Sequence, residues 1–182
     1  MAEHPQPWTH AGDDSTEDHH IFRVRRFLAA DPRDGSRHPR VVLECNDWVN
    51  IIPVTDDGRV VLIRQFRFGV WANTLEIPGG MCEQGEDPAI AAARELEEET
   101  GYRPARVEPL GFCHPNPAIQ CNRTFSYLAH GCVPVHGGRP DHGEDIRVEV
   151  VDRDELIQLV REGHITHALV LVAFLLESWR AR

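Results

Sequence analysis

The 182-residue chain contains no lysine, so all 19 of its basic residues are arginine. With 29 acidic residues, its formal net charge is -10 at pH 7. This negative charge argues against long-range attraction to nucleic acid or to an anionic membrane, because both are polyanions. We therefore expect neither among its partners, and any anionic substrate has to be neutralised locally.

The sequence also lacks a disulfide framework and a long hydrophobic segment. Its five cysteines are an odd number without a CxxC pair, which is typical of reduced thiols. The longest apolar run, Ala168 to Leu176, is far shorter than a membrane span, and the N-terminus has no apolar stretch resembling a signal peptide. These features predict a cytoplasmic protein.

The length of the chain fits one domain. Residues 1–20 are rich in His, Asp and Pro without apolar periodicity, which predicts a flexible acidic and His-rich tail before a single domain over residues 21–182. Apolar and β-branched runs on both sides of Asp34-Gly35 predict an antiparallel hairpin within residues 21–47. Similar runs predict a second hairpin around Asp56-Asp57-Gly58.

Helix signals are clearest after Asp87, which is a good N-cap residue followed by a proline in the first turn. Because Gly101 can end a helix in the left-handed conformation, we expect a helix from Pro88 to Thr100. Strands are predicted over residues 107–112, 123–130 and 146–151, with two later helices, the last capped by Thr166. The order of elements indicates an α+β fold.

Three carboxylates of the predicted helix, Glu95, Glu98 and Glu99, point away from its alanine-rich side. Like charges at positions i and i+4 repel each other. The pattern therefore indicates either a solvated acidic surface or a site for a cation between the side chains. Ligands that are all oxygen atoms favour Mg²⁺, with Mn²⁺ as a substitute.

A wider pattern includes this helix: Gly80, five residues, Glu86, seven residues, then Arg94-Glu95-Leu96-Glu97-Glu98-Glu99-Thr100-Gly101-Tyr102. It resembles the signature of the Nudix hydrolases, with Tyr102 in place of the usual aliphatic residue. The resemblance implies an α/β/α sandwich, in which a mixed β-sheet lies between helices. It also implies that Glu95 and Glu99 bind metal with the Gly79 carbonyl, that Glu98 holds a further ion, and that Arg94 orients the glutamates.

Outside this motif, Arg64-Gln65-Phe66-Arg67 before residues 75–80 resembles the ADP-ribose and nucleotide-sugar pyrophosphatases. That resemblance extends over about residues 21–178. It implies Mg²⁺-dependent hydrolysis of a nucleoside diphosphate sugar, of the ADP-ribose or GDP-mannose type, to a nucleoside monophosphate and a sugar phosphate. The alternatives are hydrolysis of a nucleoside triphosphate or dinucleoside polyphosphate, and a non-catalytic nucleotide-sugar sensor.

The same resemblance implies further catalytic and binding residues. Glu144, in a late loop, corresponds to the catalytic base and acts with Glu98 and Arg94, although a surface turn is the alternative interpretation. Arg67 corresponds to a residue that contacts the substrate phosphates. The simpler alternative is that Arg67 only forms an ion pair with Glu76.

Relatives in this group are usually homodimers that exchange N-terminal strands. Trp48 and Phe22 are therefore candidates to stack on the substrate base across the subunit boundary, or else they pack in the core. Asn116 lies in a proline-containing loop similar to one that accompanies ADP-ribose substrates, and a plain turn is the alternative there.

Overall fold

The computed structural model describes residues 4–139, 143 and 145–180. Contacts divide the chain into two compact units, whereas the sequence predicted one domain over residues 21–182. The first unit comprises Met1–Asn46 and His114–Asn122, and the second comprises Asp47–Cys113 and Arg123–Arg182. Within the described ranges, every helix is too short or too polar to cross a membrane.

The first unit contains a four-stranded antiparallel sheet. Its strands are β1 (Thr9–His10), β2 (Ser15–Asp18), β3 (Arg23–Ala30) and β4 (Arg37–Glu44). Strand β3 lies in the centre and pairs along its full length with β4, which confirms the predicted hairpin around Asp34-Gly35. At the other edge of β3, its first residues pair with β2 and its last residues pair with β1.

The prediction of a flexible tail over residues 1–20 is corrected by β1 and β2, which belong to this sheet. Between them, Ala11 N donates to Leu28 O and Leu28 N donates to Gly12 O, both at 2.8 Å. Asp14 accepts from Arg25 at 3.0 Å. Backbone pairing and ion pairs hold the segment, and neither requires the apolar periodicity that the sequence lacks.

The second unit contains the remaining strands and all three helices. Its strands are β5 (Trp48–Thr55), β6 (Val60–Arg67), β7 (Ala72–Glu76), β8 (Gly79–Met81), β9 (Tyr102–Arg103), β10 (Arg106–Cys113), β11 (Thr124–Pro134) and β12 (Arg147–Val151). Its helices are α1 (Pro88–Thr100), α2 (Arg153–Arg161) and α3 (Ala168–Arg180). The sheet is mixed, because β11 runs parallel to β5 while the other pairs are antiparallel.

The second predicted hairpin is only partly present. Its turn closes, with Thr55 N donating to Arg59 O at 2.9 Å, but only Val54 and Val60 are paired between β5 and β6. Beyond that pair, β5 lies between β11 and β8, whereas β6 lies between β7 and β12. The two strands then separate, and each makes a longer pairing with other strands of the sheet.

Hydrophobic side chains fill both faces of β5. Ile51 belongs to a cluster with Ala92 and Leu96 of α1, and the next residue, Ile52, belongs to a cluster with Val170 and other residues of α2 and α3. Successive residues of a strand point to opposite faces. Helix α1 therefore covers one face and the later helices the other, as an α/β/α sandwich requires.

The predicted starts of α1 and α3 had different outcomes. Helix α1 begins at Pro88, where the Asp87 side chain accepts from Ala89 N at 2.8 Å, and it ends where Gly101 adopts φ 74°. The expected cap at Thr166 is wrong, because α3 begins at Ala168 and Leu169 N donates to Nδ1 of His167 at 3.3 Å. A histidine ring thus replaces the hydroxyl that the sequence suggested.

Candidate active site

Gly80 allows α1 to approach strand β8 closely. It pairs with Val49 of β5, and a Cβ atom added to it would lie 2.5 Å from Cδ of Glu95. Such a distance is too short for any side chain, so this carboxylate can occupy its position only because residue 80 is glycine. The spacing in the sequence thereby brings Glu95 against the strand end.

The neighbouring residue, Gly79, meets a second carboxylate of the helix. Glu99 is only 5% exposed, and its Oε2 atom accepts a hydrogen bond from Gly79 N at 2.9 Å. A buried carboxylate is stable as an anion only when charged or hydrogen-bonding groups face it. The backbone at Gly79 is one such group, and it lies beside two of the predicted metal ligands.

Arg94 connects the other carboxylates. Its Nη1 atom donates to Glu95 Oε1 and to Glu98 Oε2, both at 2.9 Å. Its Nε and Nη2 atoms donate to Glu86 at 3.0 and 3.1 Å, and Nη2 also reaches the Met81 carbonyl at 3.1 Å. One planar guanidinium thus spans the loop and two turns of the helix, as the bidentate geometry of arginine allows.

The contacts between Arg94 and Glu86 favour the charged forms of both side chains. The hydrogen bonds with Glu86 are the main cause that raises the pKa of Arg94, and the same bonds lower the pKa of the Glu86 carboxyl. In the sequence, Glu86 is only a fixed position of the motif. The structure gives it a physical role, which is to hold the far side of the arginine.

The donor set suits a hard divalent cation. Glu95, Glu98 and Glu99, with the Gly79 carbonyl, offer only oxygen atoms, which Mg²⁺ prefers. Among the residues described, no group of three or more His, Cys, Asp or Glu side chains has the geometry of a metal cage. Arg94 Nη1 instead bonds Glu95 and Glu98 and holds these two carboxylates together. Their oxygen atoms are nevertheless the type of ligand that this ion prefers.

Arg67 and Glu76 form the ion pair that was the simpler interpretation of their sequence. Arg67 donates through Nε and Nη2 at 2.9 and 2.8 Å, and Thr74 adds a hydroxyl at 2.6 Å. Glu76 is 3% exposed. Burial tends to raise the pKa of this carboxyl, but the hydrogen bonds outweigh burial and the pKa lies below its ordinary value.

The other predicted site residues are placed differently. Trp48 lies at the start of β5, between Met81 of β8 and Thr124 of β11. Phe22 and Asn116 belong to the first unit, where Phe22 stacks on His19 with ring centroids 5.3 Å apart and Asn116 lies in a turn. The predicted base, Glu144, lies outside the described residues.

Two polar contacts near these elements had no signal in the sequence. Asp47 accepts from Arg123 through both carboxylate oxygens, at 2.7 Å from its backbone N and 2.6 Å from its Nη2. His167 Nε2 lies 4.0 Å from Glu76 Oε2. Both pairs join residues far apart in the chain, so only the fold brings them together.

Known proteins resemble this chain over most of its length. The model of the NUDIX domain family matches residues 47–173. An ADP-ribose pyrophosphatase of Bacillus subtilis is 29% identical over 136 residues, which cover 74% of each chain. A methanol dehydrogenase activator of Bacillus methanolicus is 30% identical over 141 residues, covering 77% of this chain and 76% of the relative.

A solved structure described as an ADP compounds hydrolase superposes with a TM-score of 0.85. The superposition covers 98% of this chain and 96% of the other, and the two sequences are 22% identical. At that identity the likeness concerns the fold alone, and it confirms the α+β architecture predicted from the sequence.

Proposed function

This chain belongs to the Nudix family, and from that premise we propose that it is a Mg²⁺-dependent hydrolase of a nucleoside diphosphate sugar of the ADP-ribose or GDP-mannose type. The predicted enzyme class, a pyrophosphohydrolase, is confirmed by the family and its relatives. The observation that carries the proposal is the group of carboxylates joined by Arg94 next to Gly79. The names of the relatives support the substrate class.

In this proposal Glu95, Glu99 and the Gly79 carbonyl hold one divalent cation, and Glu98 holds a further ion. A bound divalent cation shields the diphosphate charge and makes water a better nucleophile. Arg94 is a positioning residue, because its hydrogen bonds keep Glu95 and Glu98 together. Mn²⁺ is the expected substitute, since it accepts the same oxygen ligands.

The remaining roles rest on the resemblance. Glu144 accepts the proton of the attacking water, and the attack on phosphorus yields a nucleoside monophosphate and a sugar phosphate. Arg67, oriented by Glu76, contacts the substrate phosphates. Trp48 and Phe22 stack on the base across the boundary between two subunits, and Asn116 belongs to the loop that accompanies ADP-ribose substrates. We also propose a homodimer, which a sedimentation mass of one chain would contradict.

The test is a substrate panel with Mg²⁺ in excess. ADP-ribose, GDP-mannose, other nucleotide sugars, dinucleoside polyphosphates and nucleoside triphosphates are incubated with the protein, and phosphate is measured with and without added phosphatase. A nucleotide sugar should give phosphate only with phosphatase, because its products are monoesters. Glu95→Gln and Glu99→Gln should each lower turnover by roughly 10- to 100-fold or more.

Glu97→Gln is the matched control on the same helix, because Glu97 bonds Arg103 on another side of α1. It should retain turnover. Near-native activity of Glu95→Gln at saturating Mg²⁺ would show that the ligand assignment is wrong. Preferred release of pyrophosphate from a triphosphate would favour the other Nudix activity, and no hydrolysis of any compound would favour a sensor.

A further inference from the structure

His167 lies immediately before α3 and close to the ion pair of Arg67 and Glu76. Its Nδ1 atom accepts a hydrogen bond from Leu169 N at 3.3 Å, so the tautomer that makes this bond carries its proton on Nε2. The Nε2 atom lies 4.0 Å from Glu76 Oε2, which is too far for a hydrogen bond. Among the residues that the structure describes, no closer acceptor faces this N–H. It can therefore donate to a ligand.

The buried carboxylate of Glu76 brings this ring next to Arg67. Arg67 Nη2 donates to Glu76 Oε2 at 2.8 Å, and the same oxygen faces His167 Nε2. The Glu76 side chain is 3% exposed, whereas those of Arg67 and His167 are 42% and 34% exposed. A ligand can therefore reach both nitrogen donors from solvent, while the carboxylate that would repel an anion is shielded.

The start of α3 is also tied to the strands beside the proposed metal site. Asn50 of β5 pairs with Gly79 of β8, and Asn50 Nδ2 donates to Leu169 O at 3.0 Å. Leu169 is only two residues from His167. His167 is thus connected to Gly79, whose carbonyl is a proposed metal ligand, and to Arg67, which is proposed to contact the phosphates. A diphosphate that extends from the metal ion to Arg67 would pass close to this ring.

We propose that His167 binds the substrate, with its Nε2–H donating a hydrogen bond to an oxygen of the diphosphate beside Arg67. This inference rests on the proposed hydrolysis of a nucleotide sugar. A hydrogen bond to an anionic oxygen is charge-assisted and therefore stronger than one between neutral groups. Because the substrate already carries the charged oxygen, the bond forms in the ground state as well as in the transition state. Its loss should raise KM more than it lowers kcat.

Steady-state kinetics of the full chain, with excess Mg²⁺ and the nucleotide sugar that the panel identifies, test this role through two complementary substitutions. His167→Asn keeps an acceptor for Leu169 N, because asparagine is a good N-cap residue, but it lacks the Nε2 donor. It should raise KM by about tenfold and change kcat by less than about twofold. Its Tm should stay close to that of the wild type.

His167→Gln has the opposite effect on the two contacts. Its amide lies one bond farther from the backbone than that of asparagine, so it keeps a donor near the position of Nε2 but loses the cap. It should keep KM within about twofold of the wild type and lower Tm by roughly 2–4 °C. An equal rise of KM in both variants would overturn the proposal, because the ring would then act only through packing.

His164→Asn is the matched control. His164 lies three residues earlier, and its Nε2 faces the exposed Glu162 side chain at 3.4 Å. This substitution should change neither KM nor Tm.

Calorimetric titration with α,β-methylene ADP-ribose and Mg²⁺ separates this inference from the proposed hydrolysis. The wild type should bind this non-hydrolysable analogue, and His167→Asn should bind it about tenfold more weakly. Weaker binding by the variant, without turnover of any nucleotide sugar by the wild type, would contradict the hydrolysis and support the contact. Turnover by the wild type, with KM and Kd unchanged in His167→Asn, would overturn the contact alone. Absence of both binding and turnover in the wild type would overturn both.

Discussion

Gly80 sets the distance between the loop and the carboxylate of Glu95, and a single methyl group changes it. In Gly80→Ala the new Cβ would lie 2.5 Å from Glu95 Cδ, so the carboxylate has to move away from β8. We expect turnover to fall by roughly 10- to 100-fold because a metal ligand is misplaced. Steady-state kinetics at several Mg²⁺ concentrations would measure the loss.

The control for this substitution is Gly69→Ala, since a Cβ at Gly69 has no neighbour within 4 Å and its φ is not in the left-handed region. It should keep full turnover. If both variants behaved alike, close approach at Gly80 would have no part in placing Glu95.

A second prediction at this scale concerns the buried carboxylate of Glu76. Arg67→Gln removes the bidentate partner of Glu76, a side chain only 3% exposed, and leaves it with the Thr74 hydroxyl and with His167 at 4.0 Å. Since Arg67 is itself 42% exposed, we expect a loss of unfolding free energy of roughly 2 kcal/mol, below the full cost of a broken buried pair. Urea denaturation would measure it.

A double-mutant cycle measures how strongly Arg67 and Glu76 stabilise each other. Arg67→Gln combined with Glu76→Gln should recover part of the stability, because no unpaired charge is then buried. Additive losses in the double variant would mean that the two side chains do not stabilise each other.

Among the elements, helix α1 was predictable to the residue because its signals are local. Asp87, Pro88 and Gly101 act within one turn of the helix ends, so the sequence alone contains the physics that sets its limits. The β5–β6 hairpin was less predictable. Its turn is local, but the partners of each strand come from residues far along the chain.

The cap of α1 offers a test with a natural comparison. Asp87→Ala removes the hydrogen bond to Ala89 N and should lower the free energy of unfolding by about 1 kcal/mol. Asp152 holds the same position before α2 but makes no side-chain cap bond. Asp152→Ala should therefore cost much less in the same urea titration, and equal losses would contradict the role of the cap.

Helix α1 is also joined to β9 by a pH-sensitive pair. The Arg103 hydrogen bond is the main cause that lowers the pKa of Glu97 from 4.5 to about 2. Because the folded pKa is depressed, the pair stabilises the protein above pH 4.5 and loses its effect as the pH falls towards 2. The surface position of the pair keeps the effect small.

We therefore expect Glu97→Gln to lower Tm by about 1–2 °C at pH 7. The difference from the wild type should shrink between pH 4.5 and pH 3, because Glu97 of the unfolded wild type takes up a proton there while the folded carboxylate stays charged. Thermal denaturation followed by circular dichroism over this range would show it. A difference that grows on acidification would contradict the assigned sign.

For the whole molecule, the sequence predicted the fold class and the cluster around Arg94 but not how the chain is divided. The residues of this cluster, from Gly79 to Glu99, lie within 20 positions of one another on β8, the following loop and α1, so their spacing alone brings them together. The sheet of the first unit instead depends on backbone pairing by β1 and β2, whose side chains carry no apolar pattern. Contacts such as Asp47 with Arg123 depend on the completed sheet.

The net charge of -10 has a consequence for how the whole molecule meets its substrate. A nucleotide sugar is an anion, so encounter is slowed by repulsion that dissolved salt screens over about 10 Å at 0.1 M. We expect kcat/KM at saturating Mg²⁺ to rise by roughly two- to threefold between 10 and 150 mM KCl, with kcat nearly constant. Initial rates at low substrate concentration would measure this change. A fall in kcat/KM over the same range would mean that positive charge near the site attracts the substrate more strongly than the whole molecule repels it.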